Sequence, residues 1–85
     1  MKIQVLGSGC ARCRNLVANA ETALQQLGLE AEIEKVTAIE EIQAFRVFTT
    51  PALVINGNIQ SAGRIPSPLE IAEWITAAAK QNTEA

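Results

Sequence analysis

The stretch Thr49 to Ser67, TTPALVINGNIQSAGRIPS, decides how the rest of the 85-residue chain is read. Its apolar run Ala52-Leu53-Val54-Ile55 is followed by Asn56-Gly57, two residues that tolerate the positive φ angles of a tight hairpin turn, and then by Asn58 to Ala62. The hairpin must be antiparallel. Directly after it, Ser67-Pro68-Leu69-Glu70 combines a cap residue, a proline at the first helical position and a glutamate three residues after the cap. Ile71, Ile75 and Ala78 continue one face of that helix beside Trp74. The chain therefore ends strand, turn, strand, helix, with a polar tail at residues 81–85.

Working outward to the N-terminus, Lys2 to Leu6 reads as a short buried strand, with Ile3 and Val5 β-branched and two glycines stopping it. Leu16, Val17, Ala20, Ala23, Leu24 and Leu27 then form the stripe of an amphipathic helix, and Gly28 stands where a left-handed cap would end it. Leu29, Ala31 and Ile33 alternate with Glu30, Glu32 and Glu34, a half-exposed strand whose acidic face suits a sheet edge. Ile39, Ile42 and Phe45 suggest a short second helix with Thr37 as its cap, running to the Thr49-Thr50-Pro51 break. The string is β-α-β-α-β-β-α, an α/β class. The first βαβ unit calls for parallel strands, so a mixed four-stranded sheet flanked by helices is expected. Phe45, Phe48 and Trp74 are assigned to packing, and residues 1–80 to a single domain.

Bulk properties narrow the function. A net charge of -2 with seven scattered Lys and Arg excludes a partner bound mainly through phosphates, so nucleic acid is not expected. No apolar run is long enough to span a bilayer, and Lys2 followed by four residues is too short for a secretory signal. The expectation is a cytosolic monomer, with no membrane contact. Thiols are kept reduced in that compartment, so a disulfide there would be transient and working.

Both cysteines lie in Gly7-Ser8-Gly9-Cys10-Ala11-Arg12-Cys13, at the start of the first helix. Unpaired backbone N–H groups and the positive end of the helix dipole favour a thiolate at Cys10, and Arg12 and Arg14 add positive charge. Cys13, one turn on and less accessible, is placed to attack a mixed disulfide at Cys10. The alternatives are a pair of small residues packing a turn, or two thiolates holding linear Cu(I). Zinc would need more ligands, and the chain has no histidine. The first 35 residues are similar to the heavy-metal-associated domains that ferry Cu(I). Those domains, however, usually carry Met where Ser8 stands and end on a strand. Gly7-x-Gly9 lacks the third glycine of a dinucleotide site.

The order of elements, the C-x-x-C at the first helix and the Thr-Pro before the third strand together resemble the thioredoxin-like superfamily. Within it, the chain resembles its small, glutaredoxin-sized redox-active disulfide proteins from Lys2 to about Ala79. That resemblance implies a thiol:disulfide oxidoreductase working through a Cys10–Cys13 disulfide with no bound cofactor. It also implies a disulfide-bearing protein or small molecule as substrate and an external reductase or small thiol as electron source. Pro51 would be the family's cis proline against the disulfide, Thr50 its substrate-contacting neighbour, and Gly63 the glycine of the same groove. The chain departs from its relatives in carrying Ala11-Arg12 between the cysteines. Gln4 stands where thioredoxins place a buried aspartate, six residues before the first cysteine, and no acidic pair follows Gly63.

Overall fold

A computed structural model describes residues 1–7 and 11–82 of the chain. Its elements are β1 (Lys2–Leu6), α1 (Ala11–Leu27), β2 (Glu32–Val36), α2 (Ile39–Ala44), β3 (Ala52–Ile55), β4 (Asn58–Ala62) and α3 (Pro68–Asn82). The strands form one four-stranded sheet in the order β2-β1-β3-β4. β1 runs parallel to β2, and β3 is antiparallel to both β1 and β4. This is the mixed α/β architecture of the thioredoxin fold.

Alternation along the strands divides the core between the two faces of the sheet. Ile3, Val5, Leu53 and Ile55 point to one face, where Leu16, Ala20, Ala23 and Leu24 of α1 and Ile71, Ala72, Ile75 and Ala78 of α3 cover them. Leu6, Val36, Ala52 and Val54 point to the other, under Ile42 of α2 and Val47. Two helices cover one face, and a single short helix covers part of the other. The uncovered part is polar: Gln4 and Glu34 are side by side there, with Lys2 at 3.6 Å from the Glu34 carboxylate. Trp74 packs half-buried against the larger core, which fits its role as an anchor for α3.

Helix ends follow from local chemistry. After α1, Gly28 adopts φ 67°, the Leu29 N–H donates to Leu24 O at 3.0 Å and the Gly28 N–H to Gln25 O at 3.2 Å. These two bonds form a Schellman motif. At the start of α3 the Glu70 N–H donates to Ser67 Oγ at 3.2 Å and the Ser67 N–H to Glu70 Oε1 at 3.3 Å, a reciprocal capping box. In the β3–β4 turn Asn56 and Gly57 take φ 51° and 83°. The hairpin carries a bulge, since Leu53 faces Ser61 but Val54 faces Ile59.

Three expectations need correction. The second strand begins at Glu32 rather than Leu29, because Gly28 and the Schellman turn occupy the residues after α1. Its position at the sheet edge stands. α2 is capped by Ala38, with no side-chain cap bond, and ends at Ala44, where Phe45 is its C-cap and Arg46 takes φ 61°. Phe45 packs on the smaller core, whereas Phe48 is 83% exposed.

Candidate functional site

The sheet ends in a row. Val36, Leu6, Ala52 and Ala62 are register partners across β2, β1, β3 and β4. The residues just beyond that row are Thr37, Gly7, Pro51 and Gly63, drawn from four separate parts of the chain. Two further backbone bonds hold them: the Gly7 N–H donates to Val36 O and the Gly63 N–H to Pro51 O, each at 2.9 Å. Of the residues assigned to the site, Arg12, Cys13, Thr50, Pro51 and Gly63 lie at this end of the molecule, and Cys10 lies outside the described residues.

Cys13 is the third residue of α1 and is 5% exposed. Its Sγ lies directly over the α-carbon of Gly7, and a β-carbon at Gly7 would fall inside the sulfur's van der Waals envelope. The same β-carbon position is 3.9 Å from Pro51 Cα. Gly7 is therefore required by a close approach of side chain to backbone, and its φ lies outside the left-handed region. Reading Gly7 only as a residue that stops the first strand missed this. The signal available in sequence was its position as the first residue past a buried strand and six residues before a cysteine.

Pro51 follows a cis peptide bond from Thr50 and is buried, while Thr50 itself is exposed. Gly63 takes φ 81°, and a β-carbon there would meet Thr49 Oγ1 at 3.1 Å and Thr49 Cβ at 3.2 Å. Thr49 thus packs on Gly63. From the other side, Arg12 Nη2 donates to Gly63 O at 3.1 Å and ties the first turn of α1 to the loop after β4. Cys13, Arg12, Thr50, Pro51 and Gly63 are consequently brought to one end of the sheet by three independent contacts. Thr49 joins them, a residue the sequence reading treated only as part of a break.

Behind Cys13 lies a small cavity of about 120 Å³ lined by Val5, Gly7, Cys13, Arg14, Val17, Lys35 and Thr37. The lining explains two departures from expectation. Thr37 faces this cavity instead of capping α2. Val5, not Gln4, is the β1 side chain toward the thiol, because alternation turns Gln4 to the opposite face, where Nε2 donates to Glu34 Oε1 at 2.9 Å. That hydrogen bond, with the charge of Lys2, holds the Glu34 carboxyl below its ordinary value of 4.5. Among the described residues lining the cavity the charged groups are Arg14 and Lys35, both cationic, and none is a carboxylate.

A second electrostatic feature flanks the site. Arg64, one residue after Gly63, places both terminal nitrogens on the Glu70 carboxylate at 3.3 and 2.9 Å, and its guanidinium lies 5.8 Å from the Trp74 ring centre. Glu70 is held below 4.5 by Arg64 first and by the Ser67 N–H second. This fixes how α3 leaves the site, because the loop after Gly63 is bound to the first turn of the helix. Asn19 of α1 adds another tie, its Nδ2 donating to Pro66 O at 3.0 Å.

Comparison with known proteins agrees with this architecture. The family described as "Thioredoxin domain" matches residues 1–76. Among curated proteins, the chain is 39% identical over 71 residues to a thioredoxin of Methanothermobacter thermautotrophicus, covering 84% of this chain and 92% of that protein. It is 41% identical over 71 residues to a thioredoxin of Methanocaldococcus jannaschii, covering 84% of this chain and 81% of that one. With its mixed sheet, the proline and glycine gathered beside Cys13, and a family match across most of its length, the chain belongs to the thioredoxin domain family.

Proposed function

We propose that the protein is a thiol:disulfide oxidoreductase in which Cys10 attacks and Cys13 resolves. The observation that carries this reading is the seating of Cys13 Sγ against the Gly7 backbone, buried but at the end of the sheet where Thr50 is exposed. A thiol so placed is shielded from solvent and from large reagents. It is suited to react with a neighbouring sulfur in its own chain rather than to open the attack.

In the reductive direction the Cys10 thiolate attacks one sulfur of a substrate disulfide. A Cys10–substrate S–S bond forms, the substrate's S–S bond breaks, and its other sulfur leaves as a thiolate that takes up a proton. Cys13, losing its proton, then attacks the Cys10 sulfur, forms the Cys10–Cys13 disulfide and expels the second substrate thiol. Two electrons and two protons have passed to the substrate. An external reductase or a small thiol returns them. Thr50 and Gly63 offer backbone along the edge on which a substrate chain would lie, Pro51 supplies the wall beneath it, and Arg12 adds positive charge two residues along the chain from the attacking cysteine.

The test is disulfide reduction with dithiothreitol as electron donor. The intact protein turns over, Cys10→Ser abolishes turnover, and Cys13→Ser accumulates a mixed disulfide visible as added mass. Normal turnover by Cys10→Ser would overturn the assignment of roles.

A further inference from the structure

The segment between α2 and β3 presents one large apolar group to solvent, and nothing in the reaction outlined above uses it. Phe48 is 83% exposed, whereas Val47 before it is 4% exposed within the smaller core and Pro51 after it is buried. Between these anchors, Thr49 is fixed against Gly63. The aromatic ring is thus held outward on a short segment pinned at both ends, rather than displayed on a loose loop. Ile39 and Leu69 are the next most exposed large apolar groups, each at 68%, but they stand on α2 and α3. Of these three, Phe48 alone is within three residues of Pro51.

Reach decides what could cover it. Three residues of extended chain span at most ~10 Å, so Phe48 is close enough to the Thr50-Pro51 edge for a side chain near a bound disulfide to reach it, whereas a substrate consisting of little more than two sulfurs carries no such side chain. A disulfide carried on a polypeptide can place one of its own side chains over the ring while its sulfur is at the cysteines. Burying a phenyl ring whose backbone is already held in this way gains affinity without the cost of ordering the segment that carries it.

Resting on the redox reading above, we propose that Phe48 is a specificity-determining contact. It selects polypeptide disulfides that carry an apolar side chain within a few residues of the reacting cysteine. It contributes nothing to the exchange itself, so small disulfides are indifferent to it.

Three substrates test this, with dithiothreitol as reductant. The first is a synthetic peptide dimer joined by one disulfide with leucines flanking the cysteine. The second has serines in place of the leucines, and the third is bis(2-hydroxyethyl) disulfide. The intact protein should favour the leucine peptide over the serine peptide by about tenfold in kcat/KM, carried by KM, as expected for an aromatic contact at an interface. Phe48→Ala should erase that preference and leave turnover of bis(2-hydroxyethyl) disulfide within about twofold, and Phe48→Leu should restore most of it. A preference that survives Phe48→Ala, its absence from the intact protein, or an equal loss on all three substrates would overturn the proposal while leaving the redox reading intact. Failure of the intact protein to reduce any of the three would remove both.

Discussion

Gly7→Ala isolates the contact on which the site is built. The added β-carbon meets Cys13 Sγ inside its van der Waals radius, so either the sulfur leaves its seat for the small cavity behind it or the backbone gives way. Overpacking of this kind costs about 2 kcal/mol. For a domain of this size, that lowers Tm by roughly 8–16 °C. Removing the sulfur should remove the penalty. Once Sγ is gone, the nearest atoms to the new β-carbon are Cys13 Cβ at 3.6 Å and Pro51 Cα at 3.9 Å, ordinary contact distances. In a Cys13→Ala background, Gly7→Ala should then be neutral or stabilising by about 0.5 kcal/mol, since Gly7 needs no left-handed φ and alanine narrows the unfolded ensemble. A double-mutant cycle measured by urea unfolding under reducing conditions should give a coupling of roughly 2–3 kcal/mol. Any cost of losing the thiol itself cancels in the cycle. Additivity to within about 0.5 kcal/mol would refute the claim that this close approach is what excludes a side chain at position 7.

Two further outcomes follow from groups away from the cysteines. Ser61 is 8% exposed and its Oγ has no hydrogen-bond partner among the described residues, so Ser61→Ala should leave stability unchanged or raise it by about 1 kcal/mol; a loss of that size in chemical denaturation would show that the hydroxyl is satisfied after all. Glu70 has its folded-state pKa depressed by Arg64, so the native state binds fewer protons than the unfolded chain as pH falls past 4.5. The stabilisation is complete above that value and is lost as pH drops through the lowered folded pKa. Tm against pH should be flatter below 4.5 in Glu70→Gln than in the intact protein, and parallel curves would refute the linkage.

Sequence reading succeeded where one signal dominated locally. The Asn56-Gly57 turn, the Ser67–Glu70 capping box and the Gly28 cap each depend on a few adjacent residues, and each forms as expected. It failed where distant residues compete. Thr37 looked like a cap because it precedes a helix, but the end of β2 aims it into the cavity behind Cys13. Phe48 looked like core because it is aromatic, but Val47 already fills the place beneath. Counting back from Cys10 matches Gln4 to the position of the thioredoxins' aspartate. Strand alternation, which counting alone does not register, turns Gln4 away and Val5 toward the thiol. The Arg12–Gly63 bond, spanning 51 positions, had no sequence signal beyond the two residues' separate assignments to the same region.

The row of residues just past Val36, Leu6, Ala52 and Ala62 has a consequence for how freely this protein can vary. Gly7 and Pro51 prolong neighbouring strands, so the gap between the cysteine side of the site and the proline side is set by the interstrand repeat of roughly 4.8 Å. That dimension belongs to the backbone and is the same whatever side chains fill the layers above and below. Exchanges such as Leu53→Val or Ile75→Leu should therefore change how tightly the molecule holds together without changing the spacing between Gly7, on which Cys13 rests, and Pro51. Durability and chemistry are thereby placed on separate controls, the first in the helices and the second in the hydrogen-bond ladder.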